Sequence, residues 1–306
     1  MTQKIKSWMK LIRIKHWVKN VIVFFPLFFG KALDITTILR GASAFIAFSF
    51  LASSIYIFND IVDVEKDKRH PIKCKRPIAA GVISVRQGMA GHFILLILGC
   101  CIFIFMGRTV YFLPALLLYI GYYIINLFYT LKGKNIPLMD IVILASGFLI
   151  RLFFGSMVTG IIVSEWLYLV IMAGAFYLGL SKRRNELIRQ MGIEDGQESR
   201  EVLKYYNYQF LDKNMYLCLT LAILFYSLWC TECGEKKTYL LSTVPLVLIV
   251  AMKYSLNIEK EGTDGDPTDT ILGDKILLLL IALLAIMMFI ILKNLVKKYK
   301  KETNKR

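Results

Sequence analysis

The segment that decides the fold is Phe48-Ser-Phe-Leu-Ala-Ser-Ser-Ile-Tyr-Ile-Phe58, followed at once by Asn59-Asp-Ile-Val-Asp-Val-Glu-Lys-Asp67. The first part belongs to an apolar run long enough to cross a bilayer as a helix. The second part places carboxylates at the end of that run, where hydrocarbon tolerates them poorly. In a continuing helix, Asn59, Asp63 and Asp67 would lie on one face. Such oxygen ligands suit Mg²⁺, which proteins usually hold with few carboxylates and substrate phosphates.

The composition is that of a membrane protein. Hydrophobic residues make up 57% of the 306 residues, whereas soluble domains have roughly 45–50%. Lipid admits only helices and closed barrels, and the long continuous apolar runs favour an all-α, polytopic fold. The formal net charge of +16 indicates cytoplasmic loops, anionic lipid or an anionic substrate. The sequence contains no nucleic-acid-binding motif, so no nucleic acid partner is expected.

The apolar segments predict about nine transmembrane helices. We place a catalytic membrane domain over 19–293, between an interfacial amphipathic helix over 1–18 and a basic tail over 294–306. The predicted spans are 19–33, 38–59, 82–106, 109–130, 137–159, 163–180, 214–231, 238–254 and 275–293.

The distribution of lysine and arginine predicts the orientation. With the N-terminus inside, the inner loops carry most of these residues, and the outer loops carry few. The chain is therefore expected to be a multi-pass protein of the cell membrane with its site facing the cytoplasm. Nine spans would place the basic tail outside, against this bias. The predicted inner segments are 1–19, 64–81, 131–136, 181–213 and 254–275.

Further polar clusters fall on the same predicted side. Each has a plainer interpretation as a solvated loop, a topology signal or a turn, but together they predict a polar chamber open to the cytoplasm. Arg151 lies near the middle of a span, where an arginine must face a cavity or a polar partner. The other members are Lys73 and Arg76; Asn126, Tyr129, Lys132, Lys134 and Asp140; Lys182, Arg183 and Arg184; and Asp264, Asp266 and Asp269.

The Asn-Asp-x-x-Asp-x-x-x-Asp motif after the second span, within about nine helices, resembles the UbiA-type prenyltransferase superfamily. The resemblance extends from about residue 10 to 292 and is closest to the branch of decaprenyl-phosphate phosphoribosyltransferases. The segments that carry it are Ile12–Asn20, Tyr56–Asp67, His70–Gly81, Leu149–Arg151, Lys182–Arg183 and Gly265–Asp269.

Two positions depart from the superfamily pattern. Its diphosphate-using prenyltransferases normally offer at least two aspartates in a second acidic motif, but here Asp140 stands alone, with Leu144 four positions later. The single acid disfavours a prenyl diphosphate donor. In carrying one acid at this place, the chain resembles the phosphoribosyl branch. The second departure is Arg184, where that branch often has an aromatic residue.

The resemblance implies a Mg²⁺-dependent membrane enzyme, and a homotrimer. It would move 5-phosphoribose from phosphoribosyl pyrophosphate to a polyprenyl phosphate, for example decaprenyl phosphate, in arabinan precursor synthesis for the cell wall. Asn59, Asp60, Asp63 and Asp67 are the predicted metal ligands. The predicted catalytic residues are Asp63, Asp67, Lys134 and Asp140, and the predicted substrate-binding residues are Lys19, Lys73, Arg76, Tyr129, Arg151, Lys182 and Arg183.

Two other functions remain open from the sequence. A prenyltransferase would move a prenyl group from its diphosphate to an aromatic or other acceptor. A transporter or lipid-binding protein would perform no chemistry. Transporters with inverted repeats have matched broken helices in their two halves, and the sequence shows no such pair.

Overall fold

The computed structural model describes residues 2–30, 34–70, 72–106, 111–191, 200–232, 237–260 and 266–303, apart from the side chains of 2, 3 and 293–303. All regular structure in these ranges is helical, which confirms the all-α prediction. Three short 3₁₀ helices cover Lys73–Lys75, Gly133–Asn135 and Glu201–Tyr205. The other elements are α1 (Thr2–Ile12), a 3₁₀ helix (Ile14–Phe24), α2 (Phe25–Phe29), α3 (Ile35–Val62), α4 (Val64–Arg69), α5 (Val85–Phe105), α6 (Phe112–Leu131), α7 (Met139–Thr159), α8 (Glu165–Met191), α9 (Tyr208–Glu232), α10 (Lys237–Leu241), α11 (Val244–Ile258), α12 (Pro267–Leu272) and α13 (Lys275–Thr303).

Within the described ranges, seven helical segments are long and apolar enough to cross a membrane. They are α3, α5, α6, α7, α9, the α10–α11 pair and the apolar part of α13. The predicted first span is a 3₁₀ helix followed by the five-residue α2. The predicted sixth span is the 27-residue α8, which is less apolar because it begins at Glu165 and ends in basic residues. The multi-pass fold is confirmed, whereas the count of nine and the orientation stay predictions.

The helices pack around two large apolar clusters. One lies between α3, α5, α6 and α7 and includes Phe48 and Phe154. The other joins the start of α7 to α8, α9, α11, α12 and α13. Side chains such as Ile97, Leu117 and Leu279 point outward and are largely exposed, which suits helices that face lipid. Because α7 contributes to both clusters, residues at its ends are held from two sides.

A close backbone contact places the 3₁₀ helix Ile14–Phe24 against α7. A Cβ atom at Gly155 would lie 2.1 Å from the carbonyl oxygen of Val23, so only glycine permits this approach. The contact positions Lys19 and Asn20 beside the bundle, on the turns that precede Val23.

The acidic segment is not one continuous helix. Helix α3 ends at Val62, Asp63 is its C-cap residue, and α4 begins at Val64. The N–H groups of Asp63 and Asp67 still bond to the carbonyls of Asn59 and Asp63, so the stacking of these three residues on one face stays a prediction. The two carboxylates have different partners, since Asp63 pairs with Lys134 and Asp67 pairs with Arg76.

Candidate functional site

The first polar group, which we call the acidic cluster, comprises Asp60, Asp63, Asp67 and Arg76. Nη1 of Arg76 lies 3.0 Å from Asp60 Oδ1 and 2.7 Å from Asp67 Oδ2. Burial raises the pKa of the Asp67 carboxyl, although the Arg76 charge acts in the opposite direction. One guanidinium thus holds two carboxylates together at the end of α3.

Arg13 is the second cation on Asp60. Its Nη2 lies 2.6 Å from Asp60 Oδ1, and its guanidinium lies 4.9 Å from the centre of the Tyr56 ring. The Arg13 backbone has a φ of 55°, a left-handed conformation that costs a non-glycine residue about 1–2 kcal/mol. This turn between α1 and the following 3₁₀ helix directs the side chain to Asp60, which is 3% exposed.

Asp63 connects the acidic cluster to the loop between α6 and α7. Its carboxylate forms an ion pair with Lys134 of the 3₁₀ helix Gly133–Asn135. The side chain of the neighbouring Asn59 makes no hydrogen bond within the part of the chain that the structure describes. The structure therefore brings Lys134 to the acidic motif, 71 positions away in sequence.

The second group, the arginine cluster, comprises Asp140, Arg183, Glu186, Tyr129 and Arg200. Asp140 and Arg183 are both 0% exposed, and Arg183 Nε lies 2.9 Å from Asp140 Oδ2. Arg183 also pairs with Glu186. The hydroxyl of Tyr129 accepts hydrogen bonds from Arg183 Nη2 at 3.3 Å and Arg200 Nη1 at 3.1 Å. The lone aspartate of the second motif is thus engaged by a buried arginine.

Tyr206 fixes the position of Asp140. Its hydroxyl donates to Asp140 Oδ1 at 2.7 Å and accepts from the backbone N–H of Leu138 at 2.6 Å. Leu138 has a φ of 64°, so the chain enters α7 through a left-handed residue. This turn places Asp140 in the first turn of the helix, where the helix dipole favours a negative charge.

Lys73 lies between the two clusters. Its charge interacts with those of Arg76 and Asp67 in the acidic cluster and with those of Arg200 and Glu186 in the arginine cluster. Burial lowers the pKa of the Lys73 ammonium, and the two arginines lower it further. A phosphate oxygen placed here would reverse that effect, because an adjacent anion favours the charged form.

The third group, the lysine cluster, comprises Lys19, Lys182 and Asp266. The two lysines lie 3.1 and 4.0 Å from Asp266 Oδ2. Burial acts to raise the pKa of Asp266, but Lys19 and Lys182 outweigh it and hold the pKa well below its usual range. Burial, aided by Lys19, lowers the pKa of His16 to about 3, so the imidazole 3.4 Å from Lys19 Nζ is neutral near pH 7.

Arg151 is buried among neutral partners. Its three nitrogens donate to Asn20 Oδ1 at 2.7 Å, the Gly147 carbonyl at 2.6 Å and the Tyr122 hydroxyl at 2.7 Å. Its guanidinium also stacks 5.1 Å from the centre of the Phe48 ring. Every guanidinium nitrogen thus has a partner in the protein, and Arg151 ties the 3₁₀ helix Ile14–Phe24 to α7. Its substrate-binding role stays a prediction.

We expect Arg151→Lys to lower the free energy of unfolding by about 3 kcal/mol, because lysine retains the charge but leaves buried partners such as Asn20 and Tyr122 unsatisfied. Thermal unfolding in detergent would measure this, with the exposed Arg86→Lys as the matched control. If Arg151→Lys were as stable as Arg86→Lys, the contacts of Arg151 with the 3₁₀ helix Ile14–Phe24 and α7 would not stabilise the fold.

Arg184 lies outside these clusters, although it follows Arg183 directly. Its side chain turns toward α9 and α11, where it contacts Tyr208 at 2.5 Å, Asp212 at 2.7 Å and Glu259 at 2.9 Å. The sequence departure at this position therefore concerns helix packing.

Basic side chains outnumber acidic ones across the three clusters and their neighbours. Such a surplus within a partly buried site suits a polyanion such as a diphosphate or a sugar phosphate. The basic members are Arg13, Lys19, Lys73, Arg76, Lys134, Arg151, Lys182, Arg183 and Arg200, and the acidic members are Asp60, Asp63, Asp67, Asp140, Glu186 and Asp266.

The acidic cluster fits a hard divalent cation that arrives with a phosphate. Among the described residues, no three His, Cys, Asp or Glu side chains form a ready-made metal site. Mg²⁺, however, usually binds only one or two carboxylates and completes its shell with waters and substrate phosphates. Asp63, Asp67 and the free amide of Asn59 supply oxygens of this type, while Asp60 is occupied by two arginines.

Sequence reasoning missed several members of the site. Glu186, Arg200 and Tyr206 were not among the predicted site residues, whereas Asp266 was, in a segment that turn chemistry could also explain. The spacing of Arg183 and Glu186, three positions apart on one helix, is a signal that could have identified Glu186. Arg200 and Tyr206 lie in a polar loop whose composition does not distinguish them.

Comparison with known proteins gives matches over most of the chain. The sequence model of the UbiA prenyltransferase family matches residues 21–267. A decaprenyl-phosphate phosphoribosyltransferase of Corynebacterium glutamicum is 34% identical over 279 residues, which cover 88% of this chain and 81% of that protein. A protein of the same name from Mycobacterium tuberculosis is 31% identical over 278 residues, 89% of each chain. A UbiA homolog from Archaeoglobus fulgidus bound to GPP and Mg²⁺ has a similar fold, with a TM-score of 0.67, 16% identity and coverage of 94% of this chain and 99% of that one.

Proposed function

The chain belongs to the UbiA prenyltransferase family, and we propose that it transfers 5-phosphoribose from phosphoribosyl pyrophosphate to a polyprenyl phosphate. One observation carries the choice of donor. The second acidic motif offers only Asp140, which is buried and paired with Arg183. It therefore provides no second carboxylate pair for a prenyl diphosphate, whereas the surrounding arginines suit a donor with several phosphate groups.

We place the donor's diphosphate at the acidic cluster. Arg76 and Lys134 would neutralise its oxygens, and so would Lys73 of the 3₁₀ helix Lys73–Lys75. Asn59, Asp63 and Asp67 would hold Mg²⁺, with Asp60 as a further candidate. Bound there, Mg²⁺ would supply Lewis-acid stabilisation of the leaving diphosphate. Asp60 serves mainly to orient Arg13 and Arg76, since it contacts both.

The arginine cluster would bind the other end of the donor. Arg183 and Arg200 both donate to the Tyr129 hydroxyl, and the charges of Arg200 and Lys73 interact, so a 5-phosphate would find complementary charge there. In this proposal Asp140 acts by holding Arg183 in place. As the bond between the anomeric carbon and the diphosphate breaks, positive charge develops on the ribose ring, and the cations stabilise the departing anion.

The lysine cluster would bind the phosphate of the lipid acceptor. Lys19 and Lys182 share Asp266, and an incoming phosphate would compete with that carboxylate. A phosphate monoester has a second pKa of ~6, so its oxygen is already an anion and needs no general base. This agrees with the neutral, half-buried His16. In-line attack would invert the anomeric centre and give polyprenyl-phosphoryl 5-phosphoribose and diphosphate.

An apolar cavity could take a few carbon atoms of the lipid tail. It has a volume of about 60 Å³ and lies between α2, α8 and α9. Helix α8 runs from the cavity wall at Ile171 to Lys182, and α2 continues the 3₁₀ helix that carries Lys19. The same two elements therefore lead from the proposed phosphate site to the cavity, which is lined by Phe25, Phe29, Leu167, Val170, Ile171, Tyr226 and Trp229.

Removal of either lysine should weaken acceptor binding selectively. We expect Lys19→Gln and Lys182→Gln each to raise the KM for polyprenyl phosphate by about tenfold, the loss of one charge-assisted contact, and to change the donor KM little. Steady-state kinetics with each substrate varied in turn would measure this. Lys213→Gln, an exposed change on α9, is the matched control. A tenfold rise in the donor KM with an unchanged acceptor KM would place the acceptor elsewhere.

The reaction itself is tested with labelled phosphoribosyl pyrophosphate. Purified protein in liposomes, with Mg²⁺ and a panel of polyprenyl phosphates, should convert the label into a lipid-extractable product that chromatography resolves. Transfer of labelled farnesyl or longer chains from prenyl diphosphates, with no labelled phosphoribosyl lipid, would instead establish the prenyltransferase alternative. The cytoplasmic orientation and the homotrimer are further parts of the proposal. Topology mapping tests the orientation, and a mass measurement of the purified protein tests the homotrimer.

A further inference from the structure

Helix α1 buries only part of its apolar surface in the protein. Leu11 is fully buried in a cluster with Ile78 and Ile83, and Trp8 packs against Gly91 of α5, where a Cβ atom would lie 2.7 Å from its ring. Ile5 and Met9, one turn apart on the outer side, are each 51% exposed. An exposed apolar stripe on a helix at the end of a membrane bundle is typical of insertion into the interface.

The surroundings of this stripe are basic. Lys4, Lys6 and Lys10 are exposed, and residues 2–20 contain no acidic residue. Nζ of Lys10 donates to the carbonyl oxygen of Lys75 at 2.9 Å. The exposed Lys75, in the segment after α4, therefore lies beside α1. A surface of lysines around an apolar stripe complements anionic lipid head groups, each lysine contributing roughly fivefold to the affinity.

Three contacts connect α1 to the segment that carries Lys73 and Arg76. Lys10 binds the backbone of that segment at Lys75. Leu11 shares its apolar cluster with Ile78 and Ile83. At the end of α1, Arg13 and Arg76 contact the same oxygen of Asp60. Displacement of α1 would therefore remove support from the loop on which two of the site's cations lie.

We propose that the outer face of α1 binds anionic phospholipid, and that this binding holds the 72–83 segment in its site-forming conformation. Ile5 and Met9 enter the boundary between head groups and acyl chains, while Lys4 and Lys6 bind the lipid phosphates. Lys10 stays on the Lys75 carbonyl and transmits the position of α1 to the loop. The effect of lipid charge on the loop does not depend on which reaction the site performs.

Hydrogen exchange in nanodiscs tests the proposal without any substrate. The reporters are loop amides bonded within the segment, such as Ala80 N–H to the Arg76 carbonyl and Gly81 N–H to the Ile78 carbonyl. With phosphatidylglycerol at a third of the lipid, their exchange should be at least fivefold slower than in pure phosphatidylcholine. Lys4→Gln/Lys6→Gln should abolish the difference, and Lys4→Arg/Lys6→Arg should retain it. Lys204→Gln/Lys213→Gln, the same charge change at exposed positions outside α1 and the 72–83 segment, should also retain it.

A second readout is kcat, measured at saturating donor. The donor KM is unsuitable, because a negatively charged lipid surface repels the anionic donor and raises its apparent KM. We expect phosphatidylglycerol to raise kcat several-fold in the wild type and not in Lys4→Gln/Lys6→Gln. Exchange rates that are independent of lipid charge in the wild type would overturn the proposal. An equal loss of protection in Lys204→Gln/Lys213→Gln would also overturn it, since the effect would then be one of general net charge.

Discussion

Asp63→Asn should reduce Mg²⁺-dependent phosphoribosyl transfer by about 10²–10³-fold, the cost of losing one preorganised electrostatic contact to the transition state. Asp63 is the C-cap residue of α3 and pairs only with Lys134 among the described residues. Asparagine preserves the shape but removes the charge that would bind the metal and orient Lys134. The measurement is the initial rate in liposomes over a range of Mg²⁺ concentrations.

The fold should survive this change. The side chains of Asp63 and Lys134 are partly exposed, and such a pair contributes about 1 kcal/mol or less. Glu65→Gln is the matched control, because Glu65 is 72% exposed and forms an ion pair with Lys68 on the same short helix. If Asp63→Asn retained the rate and the Mg²⁺ dependence of Glu65→Gln, the acidic cluster would not be the metal site.

Arg183→Met is expected to destabilise the protein by about 3–5 kcal/mol, because it leaves the fully buried Asp140 without its cation. Glu186 and Tyr129 would lose a partner as well. The variant should lose activity together with stability, so activity alone would not separate a structural from a substrate-binding role. Thermal unfolding in detergent measures the stability.

The double variant Asp140→Asn/Arg183→Met separates the two roles. It removes both charges of the buried pair, and the asparagine still accepts a hydrogen bond from Tyr206. Much of the stability should return, as when buried ion pairs are replaced by neutral groups, whereas activity should stay low because a donor-binding cation is missing. Recovery of both stability and activity would contradict a contact between Arg183 and the substrate.

The sequence was sufficient to predict the helical membrane fold and most charged members of the site. Runs such as 38–59 and 137–159 are continuous in hydropathy, and the structure has helices there at Ile35–Val62 and Met139–Thr159. The predicted spans 19–33 and 163–180 did not meet the length and hydropathy of a membrane span. The first is divided by the change from 3₁₀ to α-helix at Phe25, and the apolar part of the second is bounded by the charged Glu165 and Lys182.

The pairing of charges could not be predicted, because it depends on contacts distant in sequence. Arg76 reaches back to Asp60 and Asp67, whereas Lys134 crosses to Asp63. A left-handed residue at Arg13 turns its side chain toward Asp60, and no local pattern marks that turn. Adjacent arginines also diverge, since Arg183 enters the site and Arg184 packs against Glu259.

The central claim is that the acidic cluster holds the diphosphate of a phosphoribosyl donor. The most direct measurement is a structure of the protein in nanodiscs with Mg²⁺ and phosphoribosyl pyrophosphate. We predict density for the diphosphate and metal in contact with Asp63, Asp67, Arg76 and Lys134, with the 5-phosphate near Arg183 and Arg200. Donor density bound elsewhere, with the acidic cluster still closed by the Asp63–Lys134 and Asp67–Arg76 pairs, would contradict the account.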